Sequence, residues 1–197
     1  MLAEIEPTGF LGIAYMDSGA RSFYTVEKPI LSPEDLKGMK IRTQKSEVMM
    51  DMVSAMGGNP VPMAFEEVYS ALQTGVIDGA ENNPPSYFET SHYEVAKHYS
   101  LDGHAMVPEI LLVSVKTWNK LNDQEKEWIR MGAIAAQELQ RKLWLKDETI
   151  SMDAVKAAGC TIYEPEKGPF MDAVQPVYEK YASDYLDLIE SIQSLAK

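Results

Sequence analysis

The sequence contains a single cysteine, no long apolar run and a minority of basic residues. Cys160 has no second cysteine to pair with, which excludes an intrachain disulfide framework and a metal site built on several thiolates. No apolar run approaches the roughly 18 residues of a transmembrane helix. The 18 lysines and arginines are outnumbered by 30 aspartates and glutamates. The net charge of −12 argues against nucleic acids and anionic membranes as partners.

The sequence also lacks the motifs of common catalytic and cofactor sites. It has no Gly-x-Ser-x-Gly elbow, no Gly-x-Gly-x-x-Gly and no phosphate-binding loop. His92, His98 and His104 are spaced six residues apart, and this spacing does not put them on one helical face as metal ligands. Cys160 follows small apolar residues, which favours a core position over a nucleophile. The sequence predicts a protein that is not an enzyme and has no cofactor.

The first residues do not look like a secretion signal. Residues 1–6 lack the basic start and the apolar core of a signal peptide. Two interpretations stay open at this point: a cytoplasmic protein, or a processed or engineered piece of a longer one. The 197 residues suffice for one large or two small domains.

Predicted strands and helices alternate over most of residues 21–115, which is typical of an α/β layer fold. Apolar runs and turn residues predict strands at 10–16, 21–26, 39–44, 59–63, 76–80, 110–115 and 160–165. Caps and helical spacing predict helices that begin after Ser32 and Ser46, and further helices over 65–74 and 86–97. Residues 169–197 are predicted to be mostly helical, with a break near Pro176.

One predicted helix is unusually long. Asn122 and Glu125 form a capping box, and no proline and only Gly132 interrupt the chain from there to Gly159. A helix of about 36 residues would be roughly 54 Å long, which exceeds the thickness of one small domain. Its apolar positions do not keep a heptad, so the pattern favours a helix lying across two lobes over a coiled coil.

Three polar features are predicted where strands run or end. Arg42 lies inside the strand of "KIRTQ", "DGAENN" spans 78–83, and His104 follows Asp102 and Gly103 in "LDGHAMVPE". Each has an ordinary alternative: an ion pair for Arg42, turn chemistry for "DGAENN", and a core or surface histidine for His104. Strand ends are where α/β folds place ligand-binding groups.

The string "PEDLKGMKIRTQKSEVMMDMVSAMGGNPVPMAFEEVYSALQTGVIDGAENN", from Pro33 to Asn83, resembles the DctP-like substrate-binding proteins of TRAP transporters. Members of this family capture organic acids and deliver them to a sodium-driven membrane permease. The resemblance covers essentially the whole chain, including the long helix. It implies a periplasmic-binding-protein-like α/β fold of two lobes, a periplasmic or extracytoplasmic location for the full-length protein, and binding without catalysis.

The resemblance also assigns roles to single residues. Arg42 matches the arginine that forms a salt bridge with the ligand carboxylate, and Asn82 matches an asparagine that hydrogen-bonds the ligand. Arg21 corresponds to a second arginine near the ligand, Phe65 to an aromatic or apolar pocket residue, and His104 to a polar position on the far wall. Gln44 and Glu81 are candidates for supporting positions behind these five.

The implied ligand is an organic acid, and its identity stays open. The segment "NNPPSYFETSHYEVAKHYSLDGH" resembles members that take sugar acids such as glucuronate or galacturonate, so a hexuronate is preferred. A four-carbon dicarboxylate or another organic acid is the alternative. A sensory domain that hands the same ligand to a receptor is another.

Compared with the family, the signal peptide and the first strand–helix units of lobe I are missing from this sequence. We expect lobe II to comprise 20–107 and 148–197, and the remnant of lobe I to comprise 1–19 and 108–147, with much of the long helix. We expect such a chain to lack one wall of the interlobe pocket. We therefore expect weak or absent binding by the chain alone, and dimerisation or strand exchange that covers its exposed apolar surface.

Overall fold

The computed structural model describes residues 2–195 and has an α/β fold with two separate sheets. The strands are β1 (Phe10–Met16), β2 (Ala20–Thr25), β3 (Lys40–Thr43), β4 (Asn59–Pro62), β5 (Gly79–Asn82), β6 (His98–Met106), β7 (Glu109–Ser114) and β8 (Thr161–Tyr163). The α-helices are α1 (Glu47–Ala55), α2 (Val68–Gln73), α3 (Pro84–Glu89), α4 (His92–Val95), α5 (Val115–Trp118), α6 (Asp123–Ala157), α7 (Gly168–Ala173), α8 (Gln175–Tyr181) and α9 (Leu186–Ser194). Short 3-10 helices cover Leu2–Thr8, Pro33–Leu36, Phe65–Glu67 and Ser183–Tyr185.

The larger sheet has six strands in the order β4-β3-β5-β2-β6-β8. Strand β3 runs parallel to β4 and β5, whereas β2 is antiparallel to both of its neighbours, β5 and β6. The smaller sheet is the antiparallel pair β1 and β7, with Phe10 opposite Ser114. Within residues 2–195, no helix is both long enough and apolar enough to cross a membrane.

The central strands of the six-stranded sheet are buried on both faces. Successive side chains of a strand point to opposite faces, so Phe23 and Tyr24 of β2 enter two different cores. Tyr24 packs with Tyr87 and Tyr99 in an aromatic cluster, whereas Phe23 packs among apolar residues from α1, α7 and the Pro33–Leu36 turn. Polar side chains at the strand ends of this sheet are therefore held on a rigid base.

Helix α6 connects the two sheets. Its 35 residues are about 52 Å long at 1.5 Å per residue. Gln137 and Gln140 accept hydrogen bonds from the backbone N–H groups of Tyr15 and Asp17, each at 2.8 Å, which ties the middle of the helix to the end of β1. Further along, Val155 is buried in the aromatic core of the large sheet. One rigid element therefore contacts both parts of the fold, as the helix length predicts.

Most predicted elements are confirmed, and three are wrong in detail. The strand predicted at 76–80 is β5, which lies at 79–82 because those residues pair with β2. The helix predicted over 86–97 is two helices, since the backbone at Ser91 is left-handed with a φ of 58°. The strand predicted at 110–115 is β7, whereas β6 is missing from the predicted elements, because Asp102 and Gly103 are poor strand formers.

Candidate functional site

A cleft of about 390 Å³ opens where β3 and β5 end and the chain passes between the two sheets. We call it the arginine cleft. It is lined by Ser18, Arg21, Arg42, Gln44, Phe65, Asn82, Asn83, Ser86, Val107 and Glu109. Four of the five predicted ligand-binding residues therefore lie around one opening, although they are spread over 62 positions of the sequence.

Arg42 is on β3 and only 4% of its surface is exposed. Its Nε and Nη2 both donate to the carbonyl oxygen of Met63, at 3.3 and 3.0 Å, and its guanidinium lies 5.5 Å from the centre of the Phe65 ring. No carboxylate of the described residues comes within ion-pair distance of it. Burial lowers the pKa of Arg42 from its usual value. Arg42 is thus a largely buried cation with no counterion among the described residues.

Arg21, in contrast, has its charge paired within the protein and four of its five N–H groups bonded. Its Nε and Nη2 donate to the two carboxylate oxygens of Glu81, at 2.5 and 2.9 Å, and Nη2 also donates to the Glu81 carbonyl at 3.0 Å. Its Nη1 donates to Oδ1 of Asn82 at 2.9 Å. Such a bidentate pair neutralises the charge of Arg21 and fixes the plane of its guanidinium. The register of β2 against β6 shifts between Arg21 and Phe23.

His104, which is predicted on the far wall of the pocket, does not line the arginine cleft. Its side chain is 0% exposed, because it stacks on Phe23 with 4.2 Å between ring centres. Its Nδ1 lies 2.7 Å from Asp102, and its Nε2 lies 3.5 Å from the Glu81 carboxylate. His104 therefore lies behind Glu81, on the side away from the cleft.

Four charged groups form a buried network behind the cleft. Burial alone lowers the pKa of His104, but the carboxylates of Asp102 and Glu81 outweigh burial and raise it to about 9. Burial acts to raise the pKa of Glu81, but the neighbouring cations His104 and Arg21 reverse this and lower it. At neutral pH two cations, Arg21 and His104, therefore balance two anions, Glu81 and Asp102. The network contributes no net charge to the cleft.

The sequence predicted a supporting role for Glu81 but none for Asp102. Glu81 stood as a supporting candidate because it adjoins Asn82, and the structure places it behind the cleft with no exposed surface. Asp102 was not singled out. The sequence feature that points to Asp102 is its position two residues before His104, because residues two apart on a strand share a face. In the structure its carboxylate lies beside His104.

Asn82 is held at the end of β5 with a fixed orientation. Its Oδ1 accepts hydrogen bonds from Arg21 and from the backbone N–H of Asn83, both at 2.9 Å. Because both partners are donors, the oxygen must be at that position, and the amide nitrogen takes the other. Asn83 caps α3 through Ser86 and donates to the carbonyl of Ser18 at 2.9 Å. Asn83 therefore links the strand end to the crossing between the sheets, a role that sequence reasoning did not assign.

Phe65 forms an apolar edge of the cleft, with 39% of its surface exposed. Its ring packs edge-on against His92 at 5.7 Å, and His92 is hydrogen-bonded to the Tyr24 hydroxyl at 2.8 Å. Burial, and then the charge of Arg42, lower the pKa of His92 to about 4. A neutral imidazole therefore supports Phe65 without adding a second charge beside Arg42. Gln44 lies at the rim of the same cleft.

A family profile matches almost the whole chain. The family described as "Bacterial extracellular solute-binding protein, family 7" (DctP) matches residues 1–184. A solute-binding protein of Chromohalobacter salexigens is 40% identical over 177 residues, which are 89% of this chain and 53% of that protein. The chain spans about half the length of the curated relatives it matches.

Solved structures of periplasmic TRAP solute-binding proteins share the fold. The protein from Roseobacter denitrificans with bound β-D-glucuronate matches with a TM-score of 0.89 and 47% identity, over 95% of this chain and 62% of that one. The protein from Sulfitobacter sp. NAS-14.1 with bound β-D-galacturonate matches with a TM-score of 0.88 and 44% identity, over 96% and 63%. These neighbours bind solutes for transport. The chain belongs to family 7 of the bacterial extracellular solute-binding proteins, the DctP family.

Proposed function

We propose that this chain is part of an extracytoplasmic, periplasmic solute-binding protein that captures a carboxylate-bearing sugar acid, a hexuronate, and delivers it to a sodium-driven TRAP permease. The observation that carries the proposal is the cation of Arg42, which has no counterion among the described residues and lies in a cleft lined by hydrogen-bonding side chains. Binding and release leave the ligand chemically unchanged.

A carboxylate suits Arg42 for geometric and electrostatic reasons. A guanidinium presents parallel N–H groups that match the two oxygens of a carboxylate, which a lysine ammonium cannot imitate. Arg42 lines the cleft, and three of its N–H groups are free for a ligand, since its contacts with Met63 use only Nε and one N–H of Nη2. An acid in the cleft would therefore supply the missing negative charge and two parallel hydrogen bonds.

A monoacid with hydroxyl groups fits the cleft better than a four-carbon dicarboxylate. A second carboxylate needs a second uncompensated cation, and Glu81 already neutralises Arg21. Gln44, Ser86 and Glu109 line the same cleft and offer partners for hydroxyl groups. The relatives with bound glucuronate and galacturonate support the same choice of ligand.

We further propose that the two sheets belong to two lobes. Lobe II would comprise 20–107 and 148–197, with the six-stranded sheet, and 1–19 with 108–147 would be the remnant of lobe I. A hollow of about 500 Å³ with apolar walls on the exposed side of α6 supports this, because such surface is normally covered. The chain also spans only 62–65% of the solved structures it matches, so the isolated chain would lack part of the pocket.

Isothermal titration calorimetry with D-glucuronate tests both proposals. The 197-residue chain is compared with a chimera in which it replaces the matching 62% of the Roseobacter denitrificans protein. We expect the chimera to bind at micromolar or tighter affinity and the isolated chain to bind far more weakly. Failure of the chimera to bind glucuronate, galacturonate or related sugar acids would refute the ligand proposal. Micromolar binding by the isolated chain as a monomer would refute the incomplete pocket.

The exposed face of α6 also leads us to propose that the isolated chain dimerises. Leu139 and Leu143 line the apolar hollow, and more than half of each side chain is exposed. Burying this face against a second copy removes apolar surface from water. Sedimentation velocity should show a concentration-dependent dimer that the double variant Leu139→Glu, Leu143→Glu abolishes. A monomer at all concentrations would contradict this.

A further inference from the structure

The floor of the arginine cleft offers hydrogen-bond donors and no free acceptor. We call Arg21, Arg42 and Asn82 the donor floor. Arg42 uses two of its five N–H groups on Met63, and Arg21 uses four of five on Glu81 and Asn82. Both N–H groups of Asn82 remain, because its Oδ1 is the atom that accepts from Arg21 and Asn83. About six N–H groups therefore have no acceptor among residues 2–195.

These donors face the ligand space. Nη1 of Arg42 and Nδ2 of Asn82 have no hydrogen-bond partner among the described residues, yet neither atom is completely buried. The two residues as a whole are at most 5% exposed. The cleft is the opening onto which both residues border. Arg21 and Asn82 touch each other at 2.9 Å, so their free N–H groups are neighbours. The donors of the floor thus converge on a small region.

A carboxylate alone does not offer enough acceptor sites for all the N–H groups of the donor floor. Its two oxygens offer about four lone-pair sites, whereas the floor presents about six N–H groups. About two donors therefore need another acceptor, and the atom closest to a carboxylate is the substituent on the adjacent carbon. A carbon substituent there would leave donors unpaired in a desolvated cleft, which costs affinity. An oxygen in that position would accept from them.

We infer that the donor floor selects acids that carry an oxygen on the carbon next to the carboxyl group, as a ring oxygen, a 2-hydroxyl or a 2-oxo group. In a hexuronate in its ring form the ring oxygen is this atom. The inference rests on the proposed function and narrows its substrate class. It assigns to Asn82, whose orientation Arg21 fixes, the recognition of that oxygen, while Arg42 binds the carboxylate.

A matched pair of ligands tests the inference without altering the protein. Calorimetry with the chimera described above compares D-glucuronate with its carbocyclic analogue, in which a methylene replaces the ring oxygen. We expect the analogue to bind at least about 10-fold more weakly, because a desolvated N–H group is left without an acceptor. Equal affinity for the two compounds would overturn the inference and leave the proposed function intact. No binding of either compound would overturn both.

Variants of the chimera then test which residue recognises the ring oxygen. In Asn82→Ala the affinities for glucuronate and its carbocyclic analogue should differ by no more than about threefold, since the N–H groups that bind the ring oxygen are gone. In Gln44→Ala, an amide removed from the rim of the same cleft, the full preference should persist even if both affinities fall. A full preference in Asn82→Ala would overturn the role of Asn82. The thermal midpoint of each variant shows whether it is folded, and the wild-type ligand pair decides the inference if Asn82→Ala is not.

Discussion

Replacing Arg42 with alanine separates a ligand-binding arginine from a structural one. Arg42 forms no ion pair with the described residues, so its removal leaves no buried carboxylate without a partner. The protein loses hydrogen bonds to one acceptor, the carbonyl of Met63, and no longer has to desolvate a cation. We expect the free energy of unfolding to change by at most about 1 kcal/mol, and the melting temperature by no more than about 4 °C.

Ligand affinity should respond very differently. Loss of the cation that faces a buried carboxylate costs about 2–5 kcal/mol, which is roughly 30-fold to several thousandfold in Kd. Calorimetry with glucuronate on the chimera measures this, beside differential scanning calorimetry of the same samples. Lysine at this position should recover only part of the affinity, because it keeps the charge and loses the parallel N–H groups.

Lys40→Ala is the matched control for this experiment. It removes a cation from the same strand, at an exposed position outside the cleft, and should leave glucuronate affinity within about twofold. The reasoning would be refuted if Arg42→Ala bound glucuronate within a few-fold of wild type. It would be refuted equally if that variant lost 3–5 kcal/mol of stability, the cost of breaking a buried ion pair.

Two further predictions concern the buried network. Glu81→Gln should lower the free energy of unfolding by about 3–5 kcal/mol in chemical denaturation, because it leaves Arg21 and His104 without their shared counterion; Asp51→Asn, which breaks the exposed pair with Lys180, is the control and should leave the midpoint unchanged. Because the pKa of His104 is raised from 6.5 to about 9 on folding, its contribution, on the order of 3 kcal/mol, is complete below pH 6.5 and is lost as pH rises to 9 and beyond. Denaturation midpoints between pH 6 and 10 should show this loss in wild type, and a slope in His104→Gln as steep as in wild type would contradict it.

The sequence predicts best the elements whose ends are chemically marked. Helix α6 is predicted to within two residues at each end, since a capping box starts it and Gly159 ends the run without proline. Strand β1 coincides with its apolar run, residues 10–16. Strand β6 was not predicted, because its stability comes from tertiary pairing. Asp102 accepts the backbone N–H of Phe23, and Gly103 adopts a φ of 62° that only glycine takes readily.

The candidate site shows a similar division. The resemblance predicted Arg42, Asn82, Arg21 and Phe65 as ligand-binding residues, and all four line one cleft. It did not distinguish an arginine paired with a carboxylate from an unpaired one. Arg21 and Glu81 are 60 positions apart, and only the register of β2 against β5, with Ser22 opposite Asn82, brings them together. Burial of His104 likewise depends on Phe23 stacking over it. Such long-range pairings carry no local sequence signal.

The contrast between the two arginines links stability to ligand capture. Arg21 recovers the cost of its burial inside the protein, through Glu81, whereas Arg42 is desolvated with no internal anion to compensate. That cost is offset only when an anion enters the cleft, so the ligand-free fold is less stable than it could be. A ligand that binds only the folded state adds RT ln(1 + [L]/Kd) to the free energy of unfolding, about 2.7 kcal/mol at 100 times its Kd. Because Arg42 is the only cation of the donor floor without a counterion among the described residues, this stabilisation by acids should fall below about 1 kcal/mol in Arg42→Ala at the same ligand concentration, while the melting temperature without ligand stays nearly constant.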